Sequence, residues 1–182
     1  MNLKSYNLSK KKSNTYANRG MTLEEDVNLT NEYYIAADIA LIHKKPTPIG
    51  INKVNYQKMQ ITDAYFLQSS TLDYNGIYKG KYIDFDAKET RSKTSFPLAN
   101  IHTHQLKHLE SVIKHGGISF LIIRFTSLNK TYLLLSKVLL NFIKNEDRKS
   151  IPISFFEKNA YKVETKYSPR LDYLKIINEI IK

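Results

Sequence analysis

The sequence has no cysteine and no tryptophan, and only 6 glycines and 5 prolines occur among its 182 residues. The absence of cysteine excludes disulfide bridges and thiolate metal sites, which fits a reducing compartment. No apolar run at the N-terminus is long enough for a signal peptide or a membrane span. No GxxxxGK[ST] phosphate-binding loop occurs either, which disfavours an ATP-driven mechanism. We therefore expect a soluble, cytoplasmic protein that makes no contact with a membrane.

The balance of charge is strongly basic. Lysine and arginine number 28 against 17 acidic residues, which gives a formal net charge of +11 and a pI near 9.6. A basic protein attracts polyanions, because each phosphate neutralised releases condensed counterions, and nucleic acid is the leading candidate. However, 23 of the 28 basic residues are lysine, and the chain is rich in Asn and Ile, as AT-rich coding sequence would produce. The charge therefore supports nucleic-acid binding without proving it.

The pattern of apolar residues predicts one α/β domain behind a basic arm. Residues 1–18 are polar and carry three consecutive lysines, which predicts a disordered arm. Residues 19–182 follow as the folded domain, since a chain of this length supports one core. Its first helix should begin at a capping box formed by Thr22 and Glu25. Helices are predicted over 22–38, 100–115, 137–145 and 171–181. Strands are predicted over 39–43, 49–54, 64–68, 118–126 and 130–136, with a hairpin over 73–88.

The hairpin is the most informative segment. Its turn is marked by Gly80, and apolar and polar residues then alternate strictly. One face of the second strand carries Ile83, Phe85 and Ala87, and the other carries Tyr82, Asp84, Asp86 and Lys88. Acids and a lysine in one row fit metal-dependent phosphodiester cleavage. An exposed carboxylate–lysine ladder on a solvated strand face accounts for them equally well.

If the row is catalytic, its carboxylates are candidate Mg²⁺ ligands, because Mg²⁺ prefers hard oxygen atoms and keeps several waters. Asp73 and Asp86 are the preferred pair, one on each arm of the hairpin, although periodicity orients Asp84 as well as Asp86. Lys88 lies on the same side of the strand as Asp86 and can hold the attacking water or offset transition-state charge. Thr71 shares a face with Asp73 if the chain is extended there.

The following helix adds a second candidate group. Gln105 falls on the apolar stripe of that helix, together with Ile101, Leu109 and Val112. A buried amide needs partners, which a metal-bound water or a backbone carbonyl could supply. His104 and His108 lie one turn apart and could share an ion, but no carboxylate accompanies them at HExxH spacing. Metal ligation by these histidines is therefore disfavoured.

Ordered motifs over almost everything behind the arm match one known family. The chain resembles the RecU family of Holliday-junction resolvases, whose catalytic core is restriction endonuclease-like, a mixed central sheet flanked by helices. The matching stretches are Asn18-Arg-Gly-Met21, Leu23-Glu24, Ile42-His-Lys-Lys-Pro-Thr-Pro-Ile49, Ala64-Tyr-Phe66, Asp73-Tyr-Asn-Gly76, Tyr78-Lys-Gly80, Tyr82-Ile-Asp-Phe85, Ala87-Lys-Glu-Thr90, Lys93-Thr-Ser-Phe-Pro-Leu98, His104-Gln105, Gly116-Gly-Ile118, Arg148-Lys-Ser-Ile151 and Asp172-Tyr-Leu174.

The resemblance implies a catalytic site. It implies that Mg²⁺, with Mn²⁺ as an expected substitute, is held by Thr71, Asp73, Asp86 and Gln105. It further implies that Lys88 stabilises the transition state. The family usually carries Glu where this chain has Asp86, a departure that shortens the ligand by one methylene.

The resemblance also implies a partner and an assembly. A homodimer would cut a four-way DNA junction by paired symmetrical nicks during homologous recombination and DNA repair, with RecA and RuvAB as further partners. Arg19, Lys44 and Lys45 would grip DNA phosphates. A protruding stalk over about residues 55–64 would enter the junction centre, and here it is shorter and carries Met59 and Gln60 where the family tends to have a basic residue. A catalytically weak junction-binding protein that regulates recombination partners is the alternative hypothesis.

Overall fold

The computed structural model describes residues 22–67 and 71–181, so the predicted basic arm and Arg19 lie outside the described residues. The helices are α1 (Leu23–Ala36), α2 (Thr103–Lys114), α3 (Ser136–Asn145), α4 (Ile153–Asn159) and α5 (Tyr173–Ile181). The strands are β1 (Leu41–Lys44), β2 (Ile49–Asn55), β3 (Gln60–Phe66), β4 (Tyr74–Tyr78), β5 (Lys81–Thr90), β6 (Ser95–Pro97), β7 (Ile118–Phe125), β8 (Lys130–Leu135), β9 (Ser150–Pro152) and β10 (Tyr161–Val163).

A six-stranded sheet forms the centre of the fold, in the order β1-β4-β5-β7-β8-β10. The pair β5 and β7 is parallel, while the other neighbours run antiparallel. The parallel pair requires a crossover connection, and α2 lies within that connection. The predicted mixed central sheet flanked by helices is therefore confirmed, and the hairpin strand β5 is an inner strand of it.

Strand β7 shows why the sheet is covered on both faces. Its side chains are apolar almost throughout, as expected of a strand buried on both sides. Phe120 and Ile122 belong to a core cluster with residues of α1 and α5. Leu121 and Ile123 belong to a second cluster with residues of α2, α3 and α4. The sheet is thus enclosed between two helical layers, and the acidic face of β5 lies on the side of α2.

Two local signals in the sequence are confirmed. Thr22 Oγ1 accepts a hydrogen bond from the Glu25 backbone at 3.2 Å, and Glu25 Oε2 accepts one from the Thr22 backbone at 2.8 Å, which closes the capping box. The hairpin turn between β4 and β5 has both central residues in the left-handed region, Lys79 at φ 48° and Gly80 at φ 73°. This conformation matches the twist of the flanking strands.

The residues predicted as a stalk, 55–64, lie within a separate two-stranded ribbon formed by β2 and β3. Nearly all of its side chains are exposed, and so are Tyr56 and Met59 in the turn that joins the two strands. The strand predicted over 64–68 begins earlier in the structure, because β3 starts at Gln60 and not at Ala64. Neither face of the ribbon is buried, and the residues at the start of β3, Gln60-Ile-Thr-Asp63, show no sustained apolar alternation of the kind on which the strand prediction rests.

Other boundaries also differ from prediction. Helix α1 ends at Ala36, two residues early, and α2 begins at Thr103 after a 3₁₀ turn over Leu98–Asn100. The short elements β6, β9, β10 and α4 were not predicted. Strands of three residues and a helix of seven residues are too short for a repeat of apolar residues to be recognised in the sequence. Within the described residues, no helix is long and apolar enough to cross a membrane.

Gly76 lies where β1 and β4 approach most closely, and we expect Gly76→Ala to destabilise the fold by roughly 1–3 kcal/mol. A Cβ at this position would stand 2.0 Å from the Leu41 carbonyl oxygen and 2.6 Å from the Ile42 Cα, both backbone atoms. Chemical denaturation measures the loss. Gly80→Asn is the control, since its Cβ would meet nothing within 4 Å and Asn tolerates positive φ. Equal losses for the two variants would contradict the argument.

Candidate active site

The acidic face of β5 is buried. Asp84 and Asp86 are fully buried, and both lie beneath α2, from which Gln105 and His108 reach them. These two residues are three positions apart and therefore share a face of the helix. The alternative of a solvated carboxylate–lysine ladder is therefore wrong, and the row needs buried partners to offset its charge.

Asp86 has one oxygen satisfied and one without a partner. Its Oδ2 accepts hydrogen bonds from Gln105 Nε2 and from Lys88 Nζ, each at 2.8 Å. Its Oδ1 is buried and accepts no hydrogen bond from any N–H or hydroxyl group of the described residues. An unpaired buried carboxylate oxygen is costly, and it marks a position where a cation or a shared proton is needed.

Asp73, at the start of β4, faces Asp86. Burial raises the pKa of the Asp73 carboxyl to about 7, and the hydrogen bond to Asp86 and the negative charge of Asp86 act in the same direction, against the charge of Lys88. Burial and the neighbouring negative charge therefore favour the protonated form of Asp73 until a cation is bound. This behaviour is typical of a carboxylate pair that binds a cation.

The neutral oxygen atoms expected around the Asp73–Asp86 pair are those of the Thr71 and Gln105 side chains. The Thr71 hydroxyl oxygen accepts a hydrogen bond from Lys45 Nζ at 3.2 Å. Gln105 Oε1 accepts one from the His102 backbone at 3.1 Å, while the amide nitrogen of Gln105 binds Asp86. The structure therefore brings Gln105, Lys88 and Asp73 directly to Asp86. Two carboxylates, one of them with an unpartnered oxygen, fit a hard divalent cation.

The histidines near the site form a ring stack and a contact to Asp84. The rings of His102 and His104 stack on each other with centroids 5.5 Å apart, and His108 Nε2 lies 2.8 Å from Asp84 Oδ2. Among residues 22–67 and 71–181, no group of three or more His, Cys, Asp or Glu side chains is placed to hold a metal ion. The candidate ligand set therefore depends on a carboxylate pair with neutral oxygens.

Asp84 differs from Asp86 in that both of its oxygens have partners. Lys45 Nζ lies 2.9 Å from Oδ1 and 3.0 Å from Oδ2, and the Tyr82 hydroxyl donates to Oδ2 at 2.8 Å. His108 binds the same oxygen. Periodicity could not rank the two aspartates, whereas their hydrogen bonds separate a saturated carboxylate from an unsaturated one. The free coordination capacity belongs to Asp86.

Sequence reasoning missed the partners of Asp84. His108 could have been found from its spacing, one helical turn after Gln105 on the same face. Lys45 could not, because it follows β1 and reaches the site through the β1–β4 pairing. Of the other predicted phosphate contacts, Lys44 forms an ion pair with the exposed Glu24, and the roles predicted for both lysines stay predictions.

The fold and the site define a class: an α/β protein whose central mixed sheet carries a lysine and a pair of carboxylates, one fully buried and one half-buried, beneath a crossing helix. Residues 18–179 match the family model described as "Recombination protein U". The chain belongs to this family, RecU, and the predicted family resemblance is confirmed.

Curated relatives agree over nearly the whole chain. The chain is 51% identical to the Holliday junction resolvase RecU of Geobacillus kaustophilus over 180 residues, which cover 96% of this chain and 90% of that protein. It is 53% identical to the Holliday junction resolvase RecU of Pediococcus pentosaceus over 172 residues, covering 91% and 86%. Among solved structures, Hjc, a Holliday junction resolvase from Archaeoglobus fulgidus, aligns with a TM-score of 0.44 and 10% identity over 77% of this chain and 93% of that one.

Proposed function

We propose that this chain is a Mg²⁺-dependent endonuclease that resolves four-way DNA junctions by paired symmetrical nicks in homologous recombination and DNA repair. The observation that carries the proposal is the Asp73–Asp86 pair, with the raised pKa of Asp73 and the unpartnered Oδ1 of Asp86, next to the Lys88 ammonium. Membership of the RecU family, and relatives named as Holliday junction resolvases, support the choice of substrate. Its expected location is the cytoplasm.

The residues that would hold Mg²⁺ are Asp73 and Asp86, with Thr71 and Gln105 as neutral ligands, and Mn²⁺ is expected to replace it. When bound, the ion polarises the phosphoryl oxygen and lowers the pKa of a water molecule. Gln105 orients Asp86 by donating to its Oδ2, and Oδ1 stays without a partner.

Lys88 acts at the edge of this group. Its ammonium lies 2.8 Å from Asp86 Oδ2, and its side chain is partly exposed, so substrate can reach it. A fixed cation at this position offsets negative charge as it develops on the phosphate, and a preorganised charge needs no rearrangement during the reaction. The ion pair with Asp86 keeps the flexible lysine chain aimed at the site.

Paired nicks require two copies of this site, and we propose that the protein acts as a homodimer. A four-way junction has approximate two-fold symmetry, which a two-fold dimer matches. The exposed β2–β3 ribbon supports an intermolecular role, because an isolated two-stranded ribbon is marginally stable in water. Its exposed apolar residues are Ile49, Ile51, Val54, Tyr56, Met59, Ile61, Tyr65 and Phe66. Partnership with RecA and RuvAB follows from the family resemblance alone.

DNA binding is proposed to involve phosphate contacts of Arg19 and Lys44. Lys44 is 45% exposed and its ion pair with Glu24 is solvent-accessible, so a phosphate can replace Glu24 at little cost. The excess of positive charge over the chain favours the same polyanion.

Cleavage of a labelled synthetic four-way junction tests the proposal. With Mg²⁺, the protein should give paired, symmetrically placed nicks, and in EDTA it should bind the junction without cutting. A linear duplex of the same sequence is the control substrate and should compete weakly. Tight, junction-selective binding without metal-dependent cutting would support the alternative, a catalytically weak junction-binding regulator, to which the shorter Asp86 ligand lends some weight. Equal competition by linear duplex would remove the junction claim.

The carboxylate pair also predicts how stability depends on pH and metal. The pKa of Asp73 is raised in the folded state to about 7 from 3.8, so the folded protein binds this proton more tightly than the unfolded chain. The stability it contributes is present below about pH 4 and is lost as pH rises toward 7. Mg²⁺ replaces the proton, so its stabilising effect should be larger at about pH 8 than at about pH 6.

Thermal unfolding in EDTA and in Mg²⁺ at the two pH values measures this effect. Asp73→Asn removes the titrating carboxyl group and should abolish both the pH dependence from this pair and most of the Mg²⁺ stabilisation. A stabilisation by Mg²⁺ that is independent of pH and survives in Asp73→Asn would place the ion elsewhere.

A further inference from the structure

We propose that Lys45 is a positioning residue of the active site, anchored by the buried carboxylate of Asp84, and that its neighbour Lys44 alone serves as a phosphate contact. The inference rests on the function proposed above and deepens it, because it divides two adjacent lysines between two tasks. The family resemblance assigns both lysines to DNA phosphates.

Asp84 is the centre of a buried hydrogen-bond cluster drawn from separate parts of the chain. Lys45 Nζ reaches both carboxylate oxygens, at 2.9 and 3.0 Å. Tyr82 donates from two residues earlier on β5, and His108 binds from α2, both to Oδ2 at 2.8 Å. An ionised carboxylate only accepts, so His108 must donate its Nε2–H here. Removing the carboxylate would leave three groups without their shared acceptor.

The ammonium of Lys45 has no N–H group left to donate to a phosphate. Its three N–H groups have three acceptors, the two Asp84 oxygens and the Thr71 hydroxyl oxygen at 3.2 Å. The backbone N–H of the same residue donates to the Asp73 carbonyl at 2.7 Å. Lys45 is thus bonded, through side chain and backbone, to both Thr71 and Asp73, two of the proposed metal ligands.

Lys45 and Lys44 differ in the burial of the side chain and of its acidic partner, and this burial decides the role of each lysine. The Lys45 side chain is 18% exposed and its acidic partner is fully buried, whereas the Lys44 side chain is 45% exposed and its partner Glu24 is 54% exposed. Withdrawing Lys45 to meet a phosphate would strand a buried carboxylate, which is strongly unfavourable. Withdrawing Lys44 breaks only a surface pair, which is worth little.

From these contacts, Lys45 fixes the segment that carries Thr71 and Asp73 against the β5 strand that carries Asp86. Groups that orient metal ligands without touching the metal typically change metal affinity or activity by about 10- to 100-fold when removed. Phosphate contacts instead change the salt dependence of DNA binding, by about one counterion for each contact. The two roles therefore have separate signatures.

The test compares Lys45→Met with Lys44→Met in the full-length chain; methionine keeps an unbranched apolar stem and removes the charge. For Lys45→Met we expect Mn²⁺ affinity, measured by electron paramagnetic resonance without DNA, to fall about 10- to 100-fold. Its turnover at saturating junction should fall, while the salt dependence of junction binding in EDTA stays as in the wild type. For Lys44→Met we expect the slope of log affinity against log salt to fall by about one.

Lys130→Met is the neutral control, since Lys130 forms an exposed pair with Glu157 on β8 and α4, in the other part of the fold. It should match the wild type in all three measurements. If Lys45→Met reduces the salt slope by about one and keeps the wild-type Mn²⁺ affinity, Lys45 is a phosphate contact and the proposal is wrong.

A double variant keeps the proposal testable if the buried charge left by Lys45→Met prevents folding. Lys45→Met with Asp84→Asn removes both charges of the pair, and if the two residues act as a unit its Mn²⁺ affinity should be no lower than that of Lys45→Met. Additive losses would show independent roles and overturn the proposal. Absence of junction cleavage by the wild type would refute the proposed function instead, while the Mn²⁺ and salt measurements would still decide the role of Lys45.

Discussion

Replacing Lys88 with methionine is expected to slow junction cleavage by about 10²- to 10³-fold while junction binding in EDTA is retained. The ammonium lies 2.8 Å from Asp86 Oδ2, and its side chain is partly exposed, so a phosphate can approach it. Its charge is more valuable in the transition state than in the bound substrate, because negative charge grows on the phosphate during the reaction. The loss should therefore appear in kcat, with little change in KM.

The measurement is single-turnover cleavage of a labelled junction, with thermal unfolding as a check that the fold survives. Lys81→Met is the matched control, since Lys81 begins the same strand and is exposed. A Lys88→Met protein that cuts at the wild-type rate would exclude Lys88 from transition-state stabilisation. A variant that loses junction binding as strongly as cleavage would instead make Lys88 a DNA contact.

The alternation along β5 was enough to predict the row of acids, because a strand has a strict period of two residues. The turn at Gly80 and the capping box at Thr22 were also predictable, since each depends on residues close together in the sequence. These features are local, because they are determined by residues that are neighbours in the sequence. The apolar run of β7 likewise indicated a central strand.

The choice between Asp84 and Asp86 was not predictable from residues alone, because period two gives them the same face. What distinguishes them comes from far along the chain: Lys45 follows β1, while Gln105 and His108 lie on α2. Only the pairing of β1 with β4 and the packing of α2 over β5 bring these groups together. The ligand assignment reached by family resemblance stays a proposal, and the unsatisfied oxygen of Asp86 supports it.

A second buried ion cluster, on the opposite side of β5, predicts the largest loss of stability. Asp26 of α1 is buried and accepts hydrogen bonds from Arg124 Nη2 at 2.6 Å and from Arg170 Nε at 2.9 Å. Arg124 also donates to Thr131 on the neighbouring strand. Next to Lys88, Glu89 accepts a hydrogen bond from the first backbone N–H of α1 at 2.8 Å. The cluster therefore joins α1 and the C-terminal segment to the strand that carries the active site.

We expect Arg124→Met to destabilise the protein by about 3–5 kcal/mol, because it removes one partner of a buried pair and leaves Asp26 incompletely neutralised. Chemical denaturation gives the change in free energy of unfolding. An unchanged m-value would show that the variant and the wild type expose the same amount of surface on unfolding. Lys130→Met, which breaks an exposed pair, should cost at most about 1 kcal/mol. If the two variants cost the same, the buried cluster does not stabilise the fold. If Asp26→Asn combined with Arg124→Met recovers stability relative to Arg124→Met, the penalty comes from the stranded charge and not from lost packing of the arginine stem.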